Sequence, residues 1–187
     1  MTTNAMTTND TTSTGATSST KTVFVGDSLT AEGDWAAWFP DAEVVNLGVS
    51  GDTTEELLER LQGVIDERPD VVVLMIGTND LAWRRTVEQI VRNVESVLWR
   101  LHSELPDARI VVQSVLPRAE EYADRVKEIN IHLRQFAPTV KAEWVDLGPV
   151  FADDDGVLRD DFSADRLHLN PHGYQVWVDA LKPVLGG

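Results

Sequence analysis

The sequence predicts an α/β protein built as a three-layer α/β/α sandwich, with a five-stranded parallel sheet between two layers of helices. Five short apolar runs rich in Val, each ending near Gly, Ser or Pro, alternate with longer segments of helical period. Such runs are typical of parallel strands that are buried on both faces. Consecutive parallel strands need crossover helices, and right-handed crossovers place those helices on both faces of the sheet.

The predicted strands and helices follow one another regularly along the chain. We expect strands at residues 21–26, 43–48, 70–77, 109–115 and 142–148. We expect helices at residues 53–65, 86–105, 119–137 and 171–185. The first of these helices places Leu57, Leu61 and Ile65 on one face, with charged residues opposite. Pro171 opens the last helix, at a position where proline is favoured.

The length of 187 residues suits one domain, which can bury enough apolar surface to fold without disulfides. We predict that this domain spans residues 21–187. Residues 1–20 consist almost entirely of Thr, Ser, Asn, Gly and Ala, which offer little to a core. The sequence therefore predicts a disordered N-terminal tail over residues 1–20.

Composition excludes several classes of function. The formal net charge of -15 repels phosphate backbones, so nucleic acid is not a predicted partner. The sequence contains no cysteine, which excludes thiolate nucleophiles and cysteine-based zinc sites. Neither a secretory signal nor a long apolar run is visible, so we expect a cytoplasmic location and no stable membrane insertion.

Polar motifs follow three of the predicted strands. GDSL at residues 26–29 follows the first strand, NLGVSGD at residues 46–52 ends the second, and GTND at residues 77–80 ends the third. Active sites in such sheets form outside the carboxyl ends of the strands, so we expect these motifs to converge. DRLH at residues 165–168, just before the last helix, is the fourth candidate segment.

Ser28 is the candidate nucleophile and His168 is the candidate base. A serine hydroxyl is a weak nucleophile at neutral pH and needs a neighbouring base. Asp165 lies three residues before His168, close enough for one tight turn to bring its carboxylate to the imidazole Nδ1–H. That contact would fix the tautomer and stabilise the imidazolium that forms during attack.

Three groups are candidates for the oxyanion hole that acyl transfer requires. They are the backbone N–H groups of Ser28 and Gly51 and the side-chain amide of Asn79. Gly51 has no side chain, so its backbone can approach a reacting carbonyl closely. Each residue taken alone also fits a structural role, because serine caps helices and asparagine and glycine form turns.

Four sequence blocks resemble those of the SGNH hydrolases, also called the GDSL-type esterases and lipases. The blocks, in the family's order, are Ser28 in GDSL, Gly51 in NLGVSGDTT, Asn79 in GTND and His168 in DRLHLNPHGY. The resemblance implies a flavodoxin-like sheet of order 2-1-3-4-5, a Ser-His-Asp triad, and hydrolysis of small-molecule esters without metal or cofactor. The tract LHLNPHGYQVWVDALKP resembles bacterial members grouped with the catalytic subunits of platelet-activating-factor acetylhydrolase, which implies short acyl groups such as acetyl.

Two kinds of metal site are alternatives to this interpretation. Four acidic residues near strand ends suggest a magnesium site: Asp27, Asp52, Asp80 and Asp146. Their spacing matches no magnesium-binding motif, so contacts within turns and loops are the favoured interpretation. His168 and His172 stand four residues apart, as zinc ligands on a helix do, but Pro171 between them marks a helix boundary. We therefore predict no metal.

The sequence contains six tryptophans. Three of them follow the predicted site motifs and are candidates for the wall of a substrate pocket, with core packing as the alternative: Trp35, Trp38 and Trp83. The other three are predicted to pack in the core: Trp99, Trp144 and Trp177.

The leading hypothesis is a serine ester hydrolase that cleaves short-chain acyl esters of the acetyl type through an acyl-enzyme intermediate. A second hypothesis is a carbohydrate O-acetylesterase that uses the same residues on acetylated sugars. A third is a non-catalytic binding domain of the same fold, and the complete set of Ser, Gly, Asn, Asp and His argues against it.

Overall fold

The computed structural model describes residues 19–186 and contains five parallel strands. The strands are β1 Lys21–Gly26, β2 Glu43–Gly48, β3 Val71–Met75, β4 Arg109–Gln113 and β5 Glu143–Val145. Their order in the sheet is β2-β1-β3-β4-β5, which confirms the predicted topology. Most of the predicted N-terminal tail lies outside the described residues, and the domain boundaries stay a prediction.

Eight α-helices connect or flank these strands in the described part of the chain. They are α1 Ser28–Ala31, α2 Trp35–Trp38, α3 Thr54–Asp66, α4 Thr78–Ala82, α5 Val87–Glu104, α6 Ala123–Phe136, α7 Gly148–Phe151 and α8 Pro171–Leu185. The helix predicted over residues 119–137 is shorter, because 3-10 turns flank α6 on both sides. Pro138 lies in the second of these turns and lacks the N–H that would continue α6. Within residues 19–186, no helix is long and apolar enough to cross a membrane.

The register of the sheet brings three strand ends to the same level. Gly26 at the end of β1 pairs with Gly48 at the end of β2 on one side and with Met75 at the end of β3 on the other. The loops that follow these strands therefore begin side by side at the carboxyl edge. This is the edge where ligands bind in open parallel sheets.

Each face of the sheet has its own apolar core. On one face, aliphatic residues of the strands pack against α3, α5 and α6. On the other face the core is aromatic, and the ring of Trp35 stacks on Phe24 with centroids 4.4 Å apart. Trp177 is fully buried on this face, which confirms its predicted core position. The prediction for Trp99 was wrong, because this α5 residue is 60% exposed while its neighbour Leu98 takes the buried position.

Gly48 permits a close contact between β2 and α1. A Cβ atom at this position would lie 2.3 Å from the Ala31 nitrogen and 2.7 Å from the Ala31 Cα. Both distances are far below van der Waals contact, so no other residue fits without a backbone shift. The glycine thus fixes how closely α1, which begins with Ser28, packs against the sheet.

We expect Gly48→Ala to lower the free energy of unfolding by about 1–3 kcal/mol, because the new methyl group overlaps the α1 backbone. Gly63→Ala in α3 is the matched control, since a Cβ there meets nothing within 4 Å. Alanine is favoured over glycine inside a helix by up to about 1 kcal/mol, so this control should gain stability. Urea denaturation of both variants measures the difference, and wild-type stability in Gly48→Ala would contradict the packing argument.

Candidate active site

Ser28 lies at the turn between β1 and α1, as the sequence predicts. β1 ends at Gly26, Asp27 follows as the N-cap of α1, and Ser28 is the first helical residue. The Asp27 Oδ1 accepts a hydrogen bond from the Leu29 N–H at 3.0 Å. This cap holds the first turn of α1 and with it the position of the serine.

The structure brings Ser28, His168 and Asp165 together in one chain of contacts. The Ser28 Oγ lies 3.4 Å from the His168 Nε2, and the His168 Nδ1 lies 2.9 Å from the Asp165 Oδ2. An Nδ1–H that donates to Asp165 leaves Nε2 as the acceptor facing the serine hydroxyl. The 3.4 Å separation is long for a hydrogen bond, as is common in catalytic sites without substrate.

A tight turn holds Asp165 against the histidine. The Asp165 Oδ1 accepts hydrogen bonds from the Leu167 N–H at 2.9 Å, the His168 N–H at 2.8 Å and the Ser163 hydroxyl at 3.1 Å. Arg166, between the aspartate and the histidine, has a left-handed φ of 57° that closes the turn. Partial desolvation acts to raise the pKa of Asp165, but the hydrogen bonds outweigh it and hold that pKa well below its usual range. Asp165 therefore stays ionised beside the imidazole.

The predicted oxyanion donors lie on the loops after β1, β2 and β3. Among the described residues, the backbone N–H groups of Ser28 and Gly51 donate to no acceptor. Gly51 has a φ of 89°, a conformation that glycine adopts without strain. The Asn79 Nδ2 donates to the Asp52 carbonyl oxygen at 2.9 Å, which leaves the second hydrogen of the amide free for another acceptor.

Buried polar contacts join the loops after β2 and β3. The Asp80 carboxylate accepts hydrogen bonds from the Thr54 hydroxyl at 2.6 Å and the Thr54 N–H at 2.9 Å. The Asp52 carboxylate pairs with Arg60 at 2.5 Å, and Arg60 also donates to the Gly26 carbonyl oxygen at 3.1 Å. These contacts connect the ends of β1, β2 and β3. Sequence reasoning missed both residues: Arg60 belongs to no recognisable motif, and Thr54 ends the NLGVSGDTT block, in which Gly51 was the residue given a role.

The four acidic residues considered for magnesium make separate local contacts. Asp27 caps α1, Asp52 pairs with Arg60, Asp80 accepts from Thr54, and Asp146 accepts from the Gly148 N–H. Across residues 19–186, no group of three or more His, Asp or Glu side chains is arranged to hold a metal ion. His172, the second candidate zinc ligand, packs against the ring of Phe162.

Asp27 is a deeply buried acidic residue at this edge of the sheet. The residue is 1% exposed, and its Oδ2 has no hydrogen-bond partner among the described residues. Burial raises the pKa of Asp27 to about 7, and the nearby Asp52 and Asp80 carboxylates add to the rise. The Leu29 N–H acts in the opposite direction. A neutral carboxyl group therefore lies directly beside Ser28 below about pH 7.

The three tryptophans considered for a substrate pocket lie in different environments. Trp35 is 1% exposed within the aromatic core, so its ring is not open to a ligand. Trp38 is partly buried and stacks on Tyr174 with ring centroids 5.6 Å apart. Trp83, at the C-cap of α4, is 73% exposed. Trp83 is thus the one of the three that presents most of its surface to solvent.

Two cavities lie away from the candidate site. A cavity of about 590 Å³ lies beside α6 and is lined in part by Lys127, Trp144 and Asp153. A groove of about 610 Å³ is lined in part by Leu58 and Trp99. Neither cavity is lined by Ser28, His168 or Asp165. The site is therefore identified by the contacts among its side chains and not by the volume of a cavity.

Comparisons with known proteins agree with the fold. Residues 24–176 match the model of the GDSL-like Lipase/Acylhydrolase family. The alpha1 subunit of platelet-activating factor acetylhydrolase IB from Rattus norvegicus is 31% identical over 173 residues, which cover 87% of this chain and 74% of that protein. A GDSL-like lipase from Bacteroides thetaiotaomicron has a TM-score of 0.79 at 23% identity, covering 89% of this chain and 88% of that chain. An acetyl xylan esterase has a TM-score of 0.74 at 20% identity, and the match covers 88% of this chain and 99% of that chain.

The chain belongs to the GDSL-like lipase/acylhydrolase family, because the family match covers most of its length. It is a carboxylic ester hydrolase, as the sequence motifs predict. The two structural relatives are less than 25% identical to it. They therefore establish the shared fold alone.

We expect Asp27→Asn to remove a pH-dependent loss of stability. The raised pKa means that the folded state holds the Asp27 proton more tightly than the unfolded state. The resulting stabilisation is complete below about pH 3.8 and is lost as the pH rises to about 7. Asparagine stays neutral and keeps an acceptor for the Leu29 N–H. Relative to wild type, the variant should therefore gain up to about 4 kcal/mol between about pH 4 and pH 8.

Urea denaturation at several pH values in this window measures the gain. Asp41→Asn is the control, because Asp41 is exposed and should show no comparable gain. A difference between wild type and Asp27→Asn that does not vary with pH would contradict the assignment of a raised pKa.

Proposed function

We propose that the protein hydrolyses short-chain acyl esters of the acetyl type through an acyl-enzyme formed on Ser28. The observation that carries this proposal is the continuous contact chain from Asp165 through His168 to Ser28. A serine hydroxyl next to a histidine that a carboxylate orients is the arrangement that activates serine for acyl transfer.

In the proposed reaction the Ser28 Oγ attacks the carbonyl carbon of the ester while the His168 Nε2 takes the hydroxyl proton. The tetrahedral intermediate then collapses, the ester C–O bond breaks, and the imidazolium returns the proton to the departing alcohol. Water repeats the sequence on the acyl-enzyme and releases the acid. Asp165, which stays ionised, stabilises the imidazolium in both halves of the reaction.

The oxyanion of each intermediate needs donors that are in place before the reaction. The free N–H groups of Ser28 and Gly51 and the second amide hydrogen of Asn79 are the proposed donors. Asn79 cannot rotate freely, because its other amide hydrogen is held by the Asp52 carbonyl oxygen. Such fixed donors cost little reorganisation when charge develops.

The preference for small acyl groups is supported by the relatives. The rat relative, at 31% identity, carries acetylhydrolase in its name. The structural relative that is an acetyl xylan esterase supports a second candidate, a carbohydrate O-acetylesterase using the same residues. A non-catalytic binding domain, the third hypothesis, disagrees with the family of the chain and with the contact between the serine, histidine and aspartate.

We expect the wild type to hydrolyse p-nitrophenyl acetate and butyrate faster than the decanoate and dodecanoate esters. Ser28→Ala should lose essentially all of this activity, because among residues 19–186 the hydroxyl that contacts His168 is that of Ser28. Ser103→Ala, on the exposed side of α5, is the control and should behave as wild type. Equal rates in wild type and Ser28→Ala would overturn the proposal.

Acetylated xylan and glucose pentaacetate in the same panel separate the two ester hypotheses. Faster acetyl release from these sugars than from simple esters would favour the carbohydrate esterase. Failure of a fluorophosphonate probe to label the wild type, together with no turnover of any ester, would favour the binding domain.

We expect Asp165→Asn to lower kcat by about 10²- to 10⁴-fold, because the amide stabilises neither the required tautomer nor the imidazolium. KM should change little, since Asp165 contacts His168 and not the substrate in the proposed reaction. Steady-state kinetics with p-nitrophenyl acetate measure both constants. Asp161→Asn, an exposed aspartate that pairs with Arg159, is the control. A kcat within twofold of wild type in Asp165→Asn would contradict the role given to Asp165.

A further inference from the structure

Arg118 is a buried arginine near the site that no part of the proposed reaction uses. It lies on the loop that follows β4 and is 9% exposed. Arginine is seldom buried to this extent without a partner that compensates for its desolvation. The contacts of Arg118 extend to both halves of the candidate site.

The side chain of Arg118 holds the start of α4. The Nη1 donates to the Thr78 carbonyl oxygen at 3.1 Å and to the Thr78 hydroxyl at 2.8 Å. Thr78 is the first residue of α4 and directly precedes Asn79. The N-cap of α4 is Gly77, which has no side chain to cap the helix. The guanidinium is the donor in both hydrogen bonds, so Arg118 does not cap the free N–H groups of α4 but holds Thr78 through its two oxygen atoms.

The backbone of Arg118 contacts the segment that leads to the histidine. The Arg118 carbonyl oxygen accepts a hydrogen bond from the Leu158 N–H at 3.0 Å, and Arg118 forms a parallel bridge with Val157. This segment continues through Ser163 to Asp165. Arg118 thus contacts both the turn that carries Asn79, a proposed oxyanion donor, and the segment that leads to His168, the proposed base.

The charge of Arg118 also acts on the site. Burial lowers the pKa of Arg118, while Tyr122, Asp165, Asp27 and Glu121 favour its charged form. The guanidinium lies over the Tyr122 ring at 4.9 Å from the centroid. Because electrostatic interaction is mutual, the same positive charge favours the ionised form of Asp165.

We propose that Arg118 is a positioning residue that fixes the Thr78–Asn79 turn relative to the Asp165–His168 segment and supplies a positive charge to both. The catalytic part of this inference rests on the function proposed above. The positioning part concerns the described residues alone and can be tested without turnover.

Arg118→Gln and Arg118→Lys separate the hydrogen bonds from the charge. Glutamine removes the charge, and lysine restores it but ends short of the Nη1 position that reaches Thr78. We expect kcat to fall by about ten- to a hundred-fold in both variants with KM within about twofold, because a misplaced donor slows chemistry more than binding. We expect kcat to fall further in Arg118→Gln, which also loses the positive charge, than in Arg118→Lys.

Arg125→Gln is the matched control, because Arg125 donates to the Leu81 and Arg85 carbonyl oxygens on the other side of the α4 turn and outside the site. It should keep wild-type kcat and KM. Hydrogen-deuterium exchange is the readout that does not need activity. Residues 77–82 and 156–168 should exchange several-fold faster in Arg118→Gln than in wild type. The strands of the sheet should exchange at the wild-type rate, which would show that the variant is folded.

The outcomes distinguish failure of the inference from failure of the proposed function. Wild-type exchange in both segments of Arg118→Gln would overturn the positioning role, whether or not the protein turns over esters. Faster exchange with unchanged kcat would overturn the catalytic part. An inactive wild type with faster exchange in the variant would refute the proposed function and leave the positioning role supported.

Discussion

Three carboxylates are buried together at the carboxyl edge of the sheet, and the loops of the site are built around them. Asp27, Asp52 and Asp80 are all less than 9% exposed. An ionised group in such a place costs several kcal/mol unless it is compensated. Asp80 is compensated by two hydrogen bonds from Thr54 and Asp52 by its ion pair with Arg60. Asp27 has a single N–H donor and retains its proton up to about pH 7.

These compensating contacts determine the geometry of the loops. The Thr54 contacts hold the start of α3 against α4, and the Arg60 contacts hold α3 against the end of β1. The loops after three neighbouring strands are therefore mutually braced. A site whose donors must be in place before charge develops benefits from this rigidity.

Residues of the aromatic core also hold the elements that carry the site. The Tyr174 hydroxyl donates to the Leu29 carbonyl oxygen at 2.8 Å, and the Trp177 indole donates to Gln113 at 2.5 Å. α8 thus contacts both α1 and β4. Because α8 begins three residues after His168, one helix supports the base and the nucleophile together.

Much of the fold was predictable from the sequence, and part of the site was not. Val-rich runs and helical periods identify strands and long helices, because burial on both faces or on one face leaves a local pattern. Ser28, Asp165 and His168 were found because they stand in short motifs. Arg118 was missed because Thr78 lies 40 residues away, a separation that leaves no local pattern. Arg60 was missed because its partners Asp52 and Gly26, 8 and 34 residues away, both lie outside its own helix. Trp99 was misplaced because residues next to a buried helix position carry a similar apolar signal.

The separation of Ser28 from His168 along the chain has a consequence for folding. They are 140 residues apart, so their contact is among the most non-local in the domain. Contacts of this kind form after local structure, because the chain entropy of closing so large a loop must first be overcome. A partly folded chain in which α8 has not yet docked contains a serine without its base. In such a chain Ser28 is not activated, so activity requires that the segment carrying His168 has packed against the start of α1.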